Sequence, residues 1–244
     1  MKQFQISFAI LLMSGLFFSS CTKEVFCIHG DGLITTKVLS IPEFTGIALE
    51  EAADVVITQG PVQEVKATGH ANIIDRLRDK VVGGTWQIDL GKGCFSDYDL
   101  TLYITVPNIE DISISGAGTV TVNDFTEQSD LSLDISGAGN LELHQFEGAE
   151  SLSIHISGLG GITGNGAFPS LKKLDMNISG SGNYDGYPIE TEDCRIDISG
   201  SGNCKVSVID HLDVSISGTG KVYYKGNPTI NQQISGLGSL VHVN

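Results

Sequence analysis

The pattern Ile-Ser-Gly-x-Gly occurs seven times in the second half of the chain, with its serine at Ser115, Ser136, Ser157, Ser179, Ser199, Ser217 and Ser235. Successive serines stand 21, 21, 22, 20, 18 and 18 residues apart. A unit of that size cannot bury an apolar face alone, so recurrence at a near-constant period calls for a stack in which each copy covers the next. Aligned on the serine, the copies form columns. Ile114, Ile135, Ile156, Ile178, Ile198, Ile216 and Ile234 make the first, and Ile112, Leu133, Ile154, Met176, Ile196, Val214 and Gln232 the second. A third reads Glu110, Leu131, Leu152, Leu174, Cys194, Leu212 and Ile230. Between the first two lies a polar column of Ser113, Asp134, His155, Asn177, Asp197, Ser215 and Gln233. This alternation with period two is that of a strand buried on one face. Five residues past each serine stands Val120, Leu141, Ile162, Tyr184, Cys204, Val222 or Leu240, which opens a second strand. Phe125, Phe146 and Phe168 recur ten or eleven residues past the serine and mark a third inward segment.

The columns predict an all-β chain, a right-handed parallel β-helix with about seven clear coils. Helical solenoids are excluded, because no 3.6-residue period is present and each glycine in a helix would cost ~1 kcal/mol relative to alanine. A propeller blade needs about 40 residues, too many for this period. The right hand follows from the bias of parallel crossovers. The motif glycines admit two explanations: a positive φ at a corner, or a lack of room for a side chain. Calcium-binding Gly-x-Gly solenoids place an aspartate after the glycines. Here that position holds Thr119, Asn140, Gly161, Asn183, Asn203, Lys221 or Ser239, so no calcium and no other cofactor is expected.

The amino-terminal half is less regular. Strand-like stretches run over residues 45–49, 54–58, 86–90 and 100–106, and residues 71–82 read as an amphipathic helix with Ile74, Leu77 and Val81 on one face. Residues 21–108 are therefore read as irregular opening coils that cap the solenoid of residues 109–244. Residues 1–20 are read as a signal peptide: Lys2 precedes an apolar run from Ile6 to Phe18, too short for the roughly 20 residues of a transmembrane helix. The run ends at Ser19-Ser20-Cys21, similar to a lipobox, which makes Cys21 the expected lipidation site. Phe18 stands where such boxes usually carry leucine, and plain cleavage near Ser20 is the alternative.

Without the leader, 13 basic residues face 29 acidic ones. Nucleic acid is thereby excluded as a partner, and the membrane is reached through a lipid rather than through charge. Cys27, Cys94, Cys194 and Cys204 show no metal-ligand spacing, which leaves disulfides in an oxidising compartment or buried free thiols. Cys194 and Cys204 occupy inward columns on either side of one corner, where either state fits.

Phe44-Thr-Gly-Ile47, Leu102-Tyr-Ile-Thr-Val-Pro107 and the motif run from Ile114 onward resemble the auto-transporter adhesin head, or GIN, domain family of secreted and lipid-anchored proteins in Bacteroides-like bacteria. The likeness spans residues 33–244. It implies a β-helix at the cell envelope with an adhesive role, and it carries no catalytic residues.

The outward columns carry two sets of ionisable side chains. Asp134 and His155 should be neighbours in adjacent coils, as should Asp175, Arg195 and Asp213, but solvated ladder pairs explain both sets. A glycosidase would need two carboxyl groups roughly 5 to 9.5 Å apart, and the columns supply no such cleft. For ligand contact the candidates are aromatic: Tyr187 and Tyr223 in the late coils, and Phe95 and Tyr98 in the loop of residues 91–99. The expected protein is a non-catalytic binding or scaffolding module of the envelope, an outer-membrane lipoprotein with a glycan or protein ligand. Its rivals are a carbohydrate-active lyase or hydrolase on the same fold and a purely structural envelope lipoprotein.

Overall fold

The computed structural model describes residues 27–244; Cys21 and the apolar run before it lie outside the described residues. The first half contains β1 (Ile28–His29), β2 (Ile34–Leu39), β3 (Gly46–Leu49), β4 (Asp54–Gln59), β5 (Glu64–His70), α1 (Ala71–Ile74), β6 (Val81–Val82), β7 (Thr85–Ile88), β8 (Phe95–Ser96) and β9 (Leu100–Val106). The repeats supply two strands each at first: β10 (Asp111–Ile114) with β11 (Thr119–Val122), β12 (Leu131–Ile135) with β13 (Asn140–Leu143), and β14 (Ser151–Ile156) with β15 (Gly161–Gly164). After β16 (Lys173–Ile178) the strands run on around the corner as β17 (Asn183–Ile198) and β18 (Asn203–Ile216), followed by β19 (Lys221–Lys225), β20 (Thr229–Ile234) and β21 (Ser239–His242).

Alternation of apolar and polar residues becomes two parallel ladders, each joining one coil to the next. The first passes through β10, β12, β14, β16, the later parts of β17 and β18, and β20. The second passes through β11, β13, β15, the early parts of β17 and β18, β19 and β21. Register follows the columns: Ile135 lies opposite Ile156, Ile156 opposite Ile178, and Ile198 opposite Ile216. A β-solenoid of about six turns results, since seven motifs bound six intervals. Ile114, Ile135, Ile156, Ile178, Ile198 and Ile216 are fully buried, and Phe125, Phe146 and Phe168 stack with centroids 5.6 and 5.4 Å apart.

Lack of room explains the motif glycines. None has a positive φ. A Cβ on Gly137 would stand 2.2 Å from the Gly116 carbonyl oxygen, and one on Gly158 2.0 Å from that of Gly137. The corner backbones approach this closely because they bond from coil to coil, Ser136 N–H donating to Ile114 O at 3.0 Å and Ala138 N–H to Gly116 O at 3.1 Å.

Two expectations need correction. The helix spans one turn, Ala71–Ile74, and not residues 71–82. The segment after it is captured by β7: the Trp86 indole donates to Arg78 O at 2.8 Å, and Val81–Val82 pairs antiparallel with Trp86 and Thr85. Tertiary bonds thus override helical periodicity. Glu110 does not face inward with Leu131. Its carboxylate is exposed and accepts from Asn108 Nδ2 at 2.6 Å, while the neighbouring Ile109 is buried instead. In the opening coils layer order is not chain order. β3 and β4 pair in parallel with β10 and β11 on one side and with β7 and β9 on the other. Antiparallel β5 covers the outer edge of β9, and β2 covers β5.

Cys27 and Cys94 form a disulfide beside the β1–β8 pair. Cys194 and Cys204 are free and buried, the Cys204 thiol lying 3.2 Å from Met176 Sδ. Burial pushes both thiols well above their ordinary range, so they stay protonated and inert. Thiol counting without reductant should find neither of these two in the folded protein and both on unfolding. Peptide mapping that showed them joined to each other would contradict the structure.

Candidate functional site

On the outward face of β17, β18 and β19 the columns bring together side chains from three successive coils. Asn183, Asn203 and Lys221 form one row, and Asp185, Lys205 and Tyr223 form the next. The asparagines are partly structural: Asn183 Oδ1 accepts the Asn203 N–H at 3.0 Å, and Asn203 Oδ1 accepts the Lys221 N–H at 3.1 Å. With Ser201 and Thr219 these residues line an open groove of about 560 Å³.

Tyr187 reaches this face through an irregularity. The register between β17 and β18 shifts after Asp185, which frees the next residues from the ladder. Gly186 permits the detour because its α-carbon passes over the buried Tyr184 ring, where a Cβ would stand 2.1 Å from the Tyr184 hydroxyl. Ser207 Oγ donates to Tyr187 O at 2.7 Å and pins the bulge. Lys225 Nζ then sits 4.5 Å from the centroid of the Tyr187 ring, and Lys205 Nζ 6.0 Å from it, both within cation–π reach. Lys205 also donates to Asp185 Oδ2 at 2.6 Å, and this bond raises the lysine pKa. Burial raises the Tyr187 phenol. Three lysines and two half-exposed tyrosines thus gather on one face of an acidic chain, with Asp185 as the single carboxylate among the residues lining the groove.

Of the residues singled out from the sequence, Tyr187 and Tyr223 therefore belong to one face. Phe95 and Tyr98 lie apart from it, beside the amino-terminal layers. Phe95 pairs with Ile28 in the β1–β8 ladder, both aromatic rings pack against the core, and Tyr98 is near Glu51. Tyr184, assigned inward, is buried, and its hydroxyl has no partner. Lys205, Lys221 and Lys225 were not singled out. Carrying the repeat alignment two and four residues past the asparagine column places Lys205 and Tyr223 together, and Lys225 one coil above Ser207.

The acid–base candidates do not assemble. Asp134 and His155 are ladder neighbours with no hydrogen bond between them. Asp175, Arg195 and Asp213 stand in register, but Arg195 Nε bonds Asp197 at 3.4 Å, on its own strand. His29, Ser96 and Asp97 come together at the surface in a serine–histidine–aspartate grouping. Both partners contact the same ring nitrogen, at 3.0 and 3.1 Å, so the imidazole cannot relay a proton from one to the other. Among the described residues no group of three or more His, Cys, Asp or Glu side chains could hold a metal ion. No helix among them is long and apolar enough to cross a membrane.

The fold recurs in solved structures. An adhesin, titled putative, from Bacteroides fragilis superposes with a TM-score of 0.78 at 23% identity, covering 88% of this chain and 100% of its own. One from Parabacteroides distasonis gives 0.68 at 20% identity, covering 89% and 100%. A protein from the same organism titled a putative lipid binding protein gives 0.73 at 21% identity, covering 90% and 100%. No curated protein matches the chain. A family profile described as "Putative auto-transporter adhesin, head GIN domain" matches residues 43–228, well over half of the sequence, and the chain belongs to that family.

Proposed function

We propose that this protein is a non-catalytic binding module of the bacterial cell envelope, held by a lipid on Cys21, whose groove on β17–β19 takes a glycan. The observation that carries this reading is the convergence of Tyr187, Tyr223, Lys205, Lys221 and two asparagine amides on one lateral face. Aromatic faces cover the apolar C–H side of a sugar ring, and a few placed amide, ammonium and carboxylate groups bond its hydroxyls. The family's adhesin description agrees with such a role. An enzyme would need a sheltered cluster of groups with mutually tuned ionisation, and the outward carboxylates that do come together, such as Asp111 and Asp134, lie partly exposed on an open strand face.

A glycan array probed with the purified protein should show a restricted set of bound sugars. Tyr187→Ala and Tyr223→Ala should each weaken binding about tenfold or more, as truncation of an aromatic anchor does, with little change in melting temperature. Sustained release of sugar products, abolished by Asp134→Asn or His155→Ala, would replace this reading with the carbohydrate-active enzyme. Binding that survives both tyrosine substitutions would move the site elsewhere. For the anchor, Cys21→Ala should shift the protein from the membrane fraction to the soluble fraction and abolish palmitate incorporation. Unchanged labelling rejects lipidation at that residue.

A further inference from the structure

Among the described residues the coil of β20 and β21 has unpaired outer edges. β20 bonds β18 on one side and, among the described residues, nothing on the other, and β21 likewise bonds only β19. The inward columns are open there as well: Ile216 is fully buried, whereas Ile234, one coil further, is 38% exposed, as is Ile230. Leu237 and Val241 add to the exposed apolar surface.

Natural sheet edges usually carry charges or a cover that blocks further pairing. The amino-terminal end has both, since antiparallel β5 and β2 overlie β9 and Lys37 on β2 is paired with Asp75. Among the described residues β20 and β21 have neither. From Gly226 to Asn244 there is no Asp, Glu, Lys or Arg, although the whole chain has a net charge of −15. Two copies of so acidic a protein repel each other least where charge is missing, and this end is such a place.

We infer that the carboxyl-terminal coil is a self-association surface, on which a second copy of this chain pairs its β20 antiparallel to the first. The sequence of β20 suits a two-fold axis through Gln232. Antiparallel pairing about that residue sets Ile230 of each copy opposite Ile234 of the other and Gln232 opposite Gln232, all on the inward face. The two isoleucine pairs continue the apolar stack across the junction. The facing glutamines can bond each other, because each amide both donates and accepts. Such an interface is self-complementary, as a two-fold contact must be. It is independent of the groove on β17–β19.

Sedimentation velocity over a concentration series tests this, using the full chain with Cys21→Ala so that no acyl chain drives association. The expected result is a reversible monomer–dimer equilibrium. Gln232→Glu and Gln232→Lys each place like charges face to face and should weaken dimerisation at least about tenfold, while an equimolar mixture of the two should recover a heterodimer. Gln232 is exposed, so at concentrations where the wild type is monomeric the melting temperature should hold and serves as the control for folding. A wild-type protein that stays monomeric at its solubility limit overturns the inference. So does a dimer indifferent to both substitutions, or a mixture that fails to recover association.

Discussion

Ile156→Asp should destabilise the protein by more than about 4 kcal/mol, while Asp134→Asn in the neighbouring coil should lie within about 0.5 kcal/mol of wild type. Ile156 is fully buried between Ile135 below and Ile178 above, so a carboxylate there would have apolar side chains on both sides and no partner. Asp134 is only partly buried and makes no hydrogen bond that an amide would lose. For a chain of this size the first change corresponds to a fall in melting temperature of roughly 10 °C or more. The introduced carboxyl group would have its folded-state pKa raised by burial. Its penalty should therefore be largest at neutral pH and shrink on acidification toward the ordinary carboxylate range, where the unfolded chain also holds the proton. Thermal melts at two pH values check both the size and the sign. Equal shifts for the two variants would refute the assignment of inner and outer faces.

Gly158→Ala should cost about 3 kcal/mol or more, at the upper end of what overpacking does. The new methyl would meet the Gly137 carbonyl oxygen at 2.0 Å and that of Ser136 at 2.5 Å. Neither can retreat cheaply, because Gly137 O accepts the Leu159 N–H at 2.9 Å in the coil-to-coil ladder. Gly161→Ala, three residues on, is the matched control. A Cβ there meets nothing closer than 3.2 Å, and other coils carry Thr119, Asn140 or Asn183 at the same position. It should change stability by less than about 1 kcal/mol, since glycine within a strand forgoes that much at most. Urea denaturation of both variants distinguishes crowding, which separates them, from a general intolerance of alanine, which does not.

The repeats were legible because a parallel stack in register converts identity of position into contact in space. Ile135 meets Ile156 for the same reason that both precede a serine and a glycine. Tyr184 and the three stacked phenylalanines were read correctly on that principle. Where no repeat constrains the chain, the reading failed in specific ways. Ile74, Leu77 and Val81 have helical spacing, yet the bonds that decide the fate of that segment come from Trp86 and Asp89, and local periodicity cannot see them. The Cys27–Cys94 bridge joins residues 67 apart that belong to no column. At the candidate groove, Tyr187 and Tyr223 were visible as aromatic residues in late coils. The lysines that complete the face stand in the same columns, Lys205 opposite Tyr223 and Lys225 opposite Ser207, but single lysines in otherwise mixed polar columns give no signal of their own.

The insertion of β3 and β4 between the layers that precede and follow them has a consequence for how the protein comes into being. A solenoid threaded in strict order can wind coil by coil as the chain is made from its amino end. This one cannot. The layer made first gains one neighbour only when β7 and β9 have followed and the other only when β10 and β11 have, so Val106 and Val122 must both exist before it is closed on both sides. Before β7 and β9 arrive Ile47, Leu49, Val55 and Ile57, all buried in the finished fold, have no cover above or below, and until β10 and β11 arrive they are covered on one side only. The amino-terminal layer therefore depends for its cover on strands well beyond the next in sequence, whereas each repeat is covered by the coil that follows it.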